Sequence, residues 1–225
     1  MRIKKNLLII APHLDDETIG CAGSLLKLRK EGYNLFYVLV TFPKEKDGYS
    51  KYEINERNRW LKKISSIYKF KKIFLMNYSP ALLKKNNTKE LISKFRKILI
   101  SNKINIILTP FNYDAHTDHK IISNAVLSSA KSFRIKSLLK LMMYETLSET
   151  NFNYDEKNQF IPNQFINITD FIKKKIEICK IFKSEFNKHP FPRSFKSIKA
   201  LATLRGSESG FKAAESFKVV FEKFK

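Results

Sequence analysis

Five apolar blocks recur along the chain: Leu7–Ala11, Asn34–Thr41, Ile73–Met76, Ile104–Thr109 and Leu139–Tyr144. Most are runs of apolar residues rather than apolar–polar alternations. Such runs suit parallel strands buried on both faces. Between them, apolar positions recur every three or four residues, the spacing of a helix with one buried face. The pattern predicts helices over Thr18–Lys30, Glu53–Tyr68, Thr88–Ser101 and Asp118–Ser132. Gly32 is placed to end the first. The second should turn Ile54, Leu61, Ile64 and Ile67 inward, and the fourth Ile121, Ile122, Ala125 and Val126. Phe42–Tyr52, with Pro43 and Gly48, reads as a loop. Pro12 and Pro110 lack a ladder donor and should stop their strands. Beyond the fifth strand the pattern predicts a β-like stretch within Gln159–Ile168 and a helix capped by Thr169 or Asp170 that runs to about Lys183. Ser197–Phe217 should form a helix, a Gly-containing turn and a second element. Strand and helix in alternation imply an α/β fold: a Rossmann-like, mostly parallel sheet flanked by helices, with a C-terminal appendage. No repeat, linker or low-complexity stretch divides residues 1–225, which are expected to form a single domain.

In open α/β sheets ligands bind beyond the carboxyl ends of the strands. Two strand ends here run straight into ionisable clusters. After the first come His13-Leu14-Asp15-Asp16-Glu17; after the fourth comes Phe111-Asn112-Tyr113-Asp114-Ala115-His116-Thr117-Asp118-His119-Lys120. Three of the four histidines of the chain, His13, His116 and His119, lie in these segments. Helix capping accounts for one or two acids before a helix. It does not account for three acids in a row, which repel one another unless a cation or donors offset the charge. Two imidazoles and a carboxylate form a common catalytic ligand set, with positions left for water and substrate.

His13-Leu14-Asp15-Asp16-Glu17 resembles the His-Pro-Asp-Asp-Glu signature of the PIG-L / LmbE-like zinc-dependent N-acetylglucosamine deacetylases. His116-Thr117-Asp118-His119 resembles their second signature, His-Pro-Asp-His, about a hundred residues on. Tyr144-Glu145 and Ile168-Thr169 are similar to a third section. Arg205-Gly206-Ser207-Glu208-Ser209-Gly210, then Ala214-Glu215-Ser216-Phe217, is similar to the C-terminal segment. The resemblance implies a metal-dependent hydrolase that removes the acetyl group from an N-acetylated amino sugar, linked to a nucleotide, lipid or small aglycone. It implies His13, Asp16 and His119 as ligands of Zn2+, with Fe2+ or another divalent ion as alternatives. Asp15 would be the general base. His116 would act as a cation beside the tetrahedral intermediate or as the acid, and Asp118 would orient it and hold its proton. Glu17 reads as a supporting or helix-capping residue. Arg57, Arg59 and Tyr113 are the candidate substrate contacts. Leu14 and Thr117 stand where the signatures carry Pro; neither Pro can ligate, so the change touches loop rigidity. The family's Arg-x-x-Glu after strand two has no clear register in Glu56-Arg57-Asn58-Arg59-Trp60, and its acidic contact after strand three is replaced by Asn77-Tyr78-Ser79-Pro80. Trp60 and Tyr78 are expected to pack rather than to stack on sugar, and His189-Pro190 reads as a surface turn.

Formal net charge is +22, spread over lysines from Lys4 to Lys225 in short runs. No nucleic-acid module accompanies it, so no specific nucleic-acid binding is expected. General Lys enrichment on solvated faces explains the charge; an anionic substrate or peripheral membrane contact are the alternatives. No stretch approaches the ~18 apolar residues of a membrane-spanning helix. Cys21 and Cys179 form no metal or redox spacing, and reduced thiols suit a cytoplasmic enzyme. A homo-oligomer is compatible with the sequence. Two other functions fit parts of the pattern. A basic binding protein with a structural metal site would have no use for Asp15, His116 and Asp118. An iron-dependent oxygenase shares the His-x-Asp…His triad, but in an all-β setting.

Overall fold

The computed structural model describes residues 5–224. One seven-stranded sheet organises them: β1 (Asn6–Ala11), β2 (Asn34–Thr41), β3 (Lys72–Tyr78), β4 (Ile106–Pro110), β5 (Lys140–Tyr144), β6 (Gln164–Asn167) and β7 (Ala214–Glu222). The strand order is β3-β2-β1-β4-β5-β7-β6. The first five strands are mutually parallel; β7 runs antiparallel to both β5 and β6. After β1 the chain builds outward through β2 and β3, then returns to place β4 on the other side of β1. This reversal is the topological switch point, where such sheets open a crevice.

The helices are α1 (Asp16–Lys30), α2 (Lys51–Tyr68), α3 (Thr88–Ser101), α4 (Thr117–Ser129), α5 (Ile172–Cys179) and α6 (Phe195–Ser209). Side-chain alternation divides the sheet's apolar residues between two cores. Leu7, Ile9, Ala11 and Tyr37 face α1, α2 and α5. Leu8, Ile10, Phe36 and Val38 face α3 and α4. β1 is wholly buried from Leu7 to Ala11, which is why its sequence shows no alternation.

Several boundaries differ from the pattern-based expectation, for local reasons. α2 starts at Lys51 because Ser50 caps it reciprocally: Glu53 N–H donates to Ser50 Oγ, and Ser50 N–H donates to Glu53 Oε2. Its buried stripe is Trp60, Ile64 and Tyr68, while Ile54, Leu61 and Ile67 are only half-buried. α5 stops at Cys179, where Phe182 N–H turns back to Cys179 O and the Phe182 ring enters the core. The C-terminal segment joins the sheet itself, with β7 inserted between β5 and β6. Gly20 permits the closest helix–sheet approach. A Cβ there would lie 2.4 Å from Tyr144 Cδ2 and 2.9 Å from Glu145 O.

Candidate active site

β1 and β4 end side by side, and each delivers its cluster to the crevice between them. His13 and Asp15 occupy the turn after β1, and Asp16 opens α1. His116 is the N-cap of α4; Asp118 and His119 lie in its first turn. The three imidazoles converge, with ring centroids 4.5 Å (His13–His116), 5.4 Å (His13–His119) and 5.5 Å (His116–His119) apart. Asp16 Oδ2 is the hub. It accepts from His13 N–H at 2.8 Å and lies 3.3 Å from His13 Nδ1 and 3.2 Å from His119 Nε2.

Two overlapping sets of side chains are close enough to hold a cation: His13, Asp16 and His119, or His13, His116 and Asp118. In the first set, fully buried His119 is held through Nδ1 by Asp114 Oδ2 at 2.8 Å. Its Nε2 is buried and lies 3.2 Å from Asp16 Oδ2. An imidazole whose one nitrogen donates to a carboxylate is oriented to ligate through the other once that nitrogen has lost its proton. Asp114 is itself fixed by Thr150 Oγ1 at 2.6 Å. In the second set, Asp118 Oδ2 already accepts from Ala81 N–H at 2.8 Å and lies 3.2 Å from His13 Nε2. Ala81 holds a left-handed backbone angle (φ 58°) to make that bond.

Protonation follows from these contacts. Burial disfavours charge on His13, but hydrogen bonds to Asp118 and Asp16 outweigh it and raise the imidazole to about 9. The same contest, against burial and with Asp16 and Asp114 as partners, raises His119. Burial also opposes charge on Asp16, yet the two imidazoles hold its carboxyl well below the usual range. Asp15 is pushed up to about 7 by burial and by the charge on Asp16, with Arg193 pulling the other way. His116 is lowered to about 4 by burial and by charge on His13 and His119.

One contact differs from expectation. The Asp118 carboxylate faces His13 and Ala81; it is the Asp118 backbone N–H that donates to His116 Nδ1, at 3.1 Å. With Nδ1 accepting, the ring proton of His116 resides on Nε2.

His13, Asp15, Asp16 and His116 line a cavity of about 260 Å³, with His119 buried behind them. Arg57 and Trp60 line it as well. Trp60 also packs edge-on against Phe182. Arg59 and Tyr113 do not line it. Arg59 is on the exposed side of α2, and Tyr113 packs on Phe111 away from the opening. Glu17 is fully buried, accepting from Thr18 Oγ1 (2.6 Å) and Tyr37 Oη (2.9 Å); burial raises it to about 8. Among the lining residues, Arg193, Glu185 and Glu149 were not singled out from the sequence. Nothing in their spacing marks them. Asp114, five residues before His119, lies in the same ionisable segment, and that spacing is the signal that marks it.

The C-terminal residues brace the crevice from behind. Arg205 grips Glu145 through Nε (2.8 Å) and Nη2 (2.7 Å), and Ser216 Oγ donates to the same carboxylate. The buried pair Lys175–Glu215 (2.7 Å) inserts against α1: Lys175 Nζ donates to Ile19 O, and Glu215 accepts from Gly23 and Ser24 N–H.

The family profile described as PIG-L: GlcNAc-PI de-N-acetylase matches residues 8–130, more than half of the chain and both ionisable clusters. The chain belongs to the PIG-L family. Diacetylchitobiose deacetylase of Thermococcus kodakarensis is 26% identical over 228 aligned positions, covering 96% of this chain and 83% of the relative. The probable N-acetyl-α-D-glucosaminyl L-malate deacetylase 2 of Bacillus anthracis is 23% identical over 196, covering 83% and 84%. Among solved structures, inhibitor-bound N,N'-diacetylchitobiose deacetylase from Pyrococcus horikoshii superposes with a TM-score of 0.76 at 22% identity. That match covers 96% of this chain and 84% of the other, and it shows the shared α/β fold of PIG-L proteins. No helix among the described residues of this PIG-L protein is long and apolar enough to cross a membrane.

Proposed function

We propose that this PIG-L protein is a metal-dependent N-deacetylase that hydrolyses the acetamide of an N-acetylglucosamine-type sugar. One observation carries the reading most directly. The Nε2 of His119, its Nδ1 held by Asp114, lies 3.2 Å from Asp16 Oδ2, and Asp16 lines a cavity together with His13 and Asp15.

His13, Asp16 and His119 would hold the ion; the donor set suits Zn2+ and also Fe2+. A divalent ion there would polarise the amide carbonyl and make water more acidic. The chain's own residues supply the proton chemistry. Asp15 is buried on the cavity wall, one residue before the proposed ligand, with proton affinity near neutrality. It takes a proton from the attacking water and delivers one to the departing amine, turning the amide into acetate and a free amino sugar. Arg193 Nη1, 3.1 Å from Asp15 Oδ2, keeps that carboxylate aimed. His116, whose Nδ1 accepts from Asp118 N–H, presents Nε2–H as a donor to the oxyanion of the tetrahedral intermediate.

Acetate release tests this. Purified protein with added zinc or iron(II) would receive N-acetylglucosamine, its glycosides, and nucleotide- and lipid-linked forms. Acetate from at least one is expected. Asp15→Asn should retain metal and lose about 10²–10⁴-fold in rate. His119→Ala should lose the metal and His116→Ala should keep it. Stoichiometric zinc in His119→Ala, or full activity in Asp15→Asn, would overturn the assignment.

A further inference from the structure

Glu185 lies between two guanidinium groups in the cavity wall. Arg57 Nη2, from α2, is 3.1 Å from Glu185 Oε1. Arg193 Nη2 is 3.6 Å from Glu185 Oε2, and Arg193 Nη1 is 3.1 Å from Asp15. Arg57 is also stacked on Trp60, 5.3 Å from the ring centroid, and on Tyr49, 5.7 Å away, so its position is held from several sides. Among the described residues that line the cavity, these two arginines are the only Lys or Arg side chains. Both are already paired with carboxylates, and Glu149 adds another acid to the lining. The charge of +22 therefore does not extend into the cavity as free cation.

An aglycone whose carboxylate or phosphate reached these arginines would have to displace Glu185 from one guanidinium while lying beside it. The exchange trades one charge-assisted pair for another and adds like-charge repulsion. Sugar hydroxyls meet no such penalty. We propose that Glu185 is a specificity-determining residue that selects an uncharged aglycone, such as a second sugar, and excludes anionic ones. This rests on the deacetylase reading of the same cavity.

A matched pair of probes isolates charge: the carbamoylmethyl and carboxymethyl glycosides of N-acetylglucosamine, nearly identical in shape. Acetate release and calorimetric binding would be measured on zinc-supplemented wild type, Glu185→Gln and Glu185→Asp. Wild type should favour the carbamoylmethyl glycoside by about tenfold or more in kcat/KM and in Kd. Glu185→Gln should move that ratio toward the carboxymethyl glycoside by about 10–100-fold, through KM, by freeing Arg57 from its carboxylate and leaving Arg193 paired with Asp15 alone. Glu185→Asp, which restores the carboxylate, should move it back. A ratio in Glu185→Gln within about twofold of wild type would refute the proposal, since a charge-assisted pair is worth more than that. A wild-type preference for the anion, or no binding by either glycoside, would refute it as well. Acetate release with an unmoved ratio leaves the deacetylase reading standing and removes this one. Binding that shifts as expected, with no acetate from either probe, does the reverse.

Discussion

The pair Lys175–Glu215 offers the sharpest test of how the C-terminal part supports the crevice. Its side chains are 5% and 4% exposed. Lys175 Nζ donates to Ile19 O at 2.6 Å and to Glu215 Oε1 at 2.7 Å; Gly23 N–H (3.0 Å) and Ser24 N–H (2.7 Å) donate to the two Glu215 oxygens. Ile19 and Gly23 are four apart, the positions a helical backbone bond would join. The pair thus clamps the backbone of α1, the helix that begins with Asp16. At 2.7 Å and an effective dielectric of ~20, the attraction is about 6 kcal/mol. Desolvating both ions costs several kcal/mol each, so the intact pair is close to neutral in net effect. Removing one partner is different. Lys175→Met leaves Glu215 buried without a countercharge, and Glu215→Gln does the same to Lys175. Each should cost about 3–5 kcal/mol. In a chain of this size that lowers Tm by about 10 °C. The double variant should cost less than the sum by about 2 kcal/mol or more, the mark of direct coupling. Urea and thermal unfolding followed by circular dichroism provide the cycle. Single-variant losses below about 1 kcal/mol, or additivity within about 0.5 kcal/mol, would refute the reasoning.

Asp114→Asn should weaken zinc binding by about 10–100-fold while the fold persists, because it loosens the partner of His119 Nδ1; competition with a chelator measures this, and unchanged affinity would remove Asp114 from the site. Zinc affinity should also depend on pH in a defined direction. His13 is raised to about 9, and His119 is raised too, so protons must leave for the nitrogens to ligate. Apparent affinity should therefore rise by at least about 10²-fold between about pH 6.5 and 8.5. The metal-free fold should follow the opposite trend: the contribution of His13 is full below its unfolded value near 6.5 and is lost as pH rises through about 9. Gly20→Ala would drive a Cβ into Tyr144 and Glu145 O and should destabilise by about 1–3 kcal/mol, read by denaturant titration.

The strands of the parallel half were legible from residue pattern alone. Where both faces of a strand are buried, every position must be apolar, and Leu7–Ala11 records that constraint locally. The metal-binding candidates were legible for a related reason. Chemistry at a strand end needs its residues on one short turn, so His13, Asp15 and Asp16 are adjacent in sequence, as are His116, Asp118 and His119. Start signals such as Ser50-x-x-Glu53 were also local, though easily overlooked. The sequence could not place β7 between β5 and β6, because an edge and an interior strand differ in what lies beside them rather than in their own residues. Nor could it assemble the cavity wall. Arg193 and Glu185 meet Asp15 and Arg57 across more than a hundred residues, and a lone Arg or Glu on a surface loop carries no local mark of its partner. The direction in which the Asp118 carboxylate points depended on Ala81 and His13 arriving from two other loops. Residue type and spacing determined what chemistry was available; the crossing of distant segments decided which atom faces which, and with it the charge each group carries.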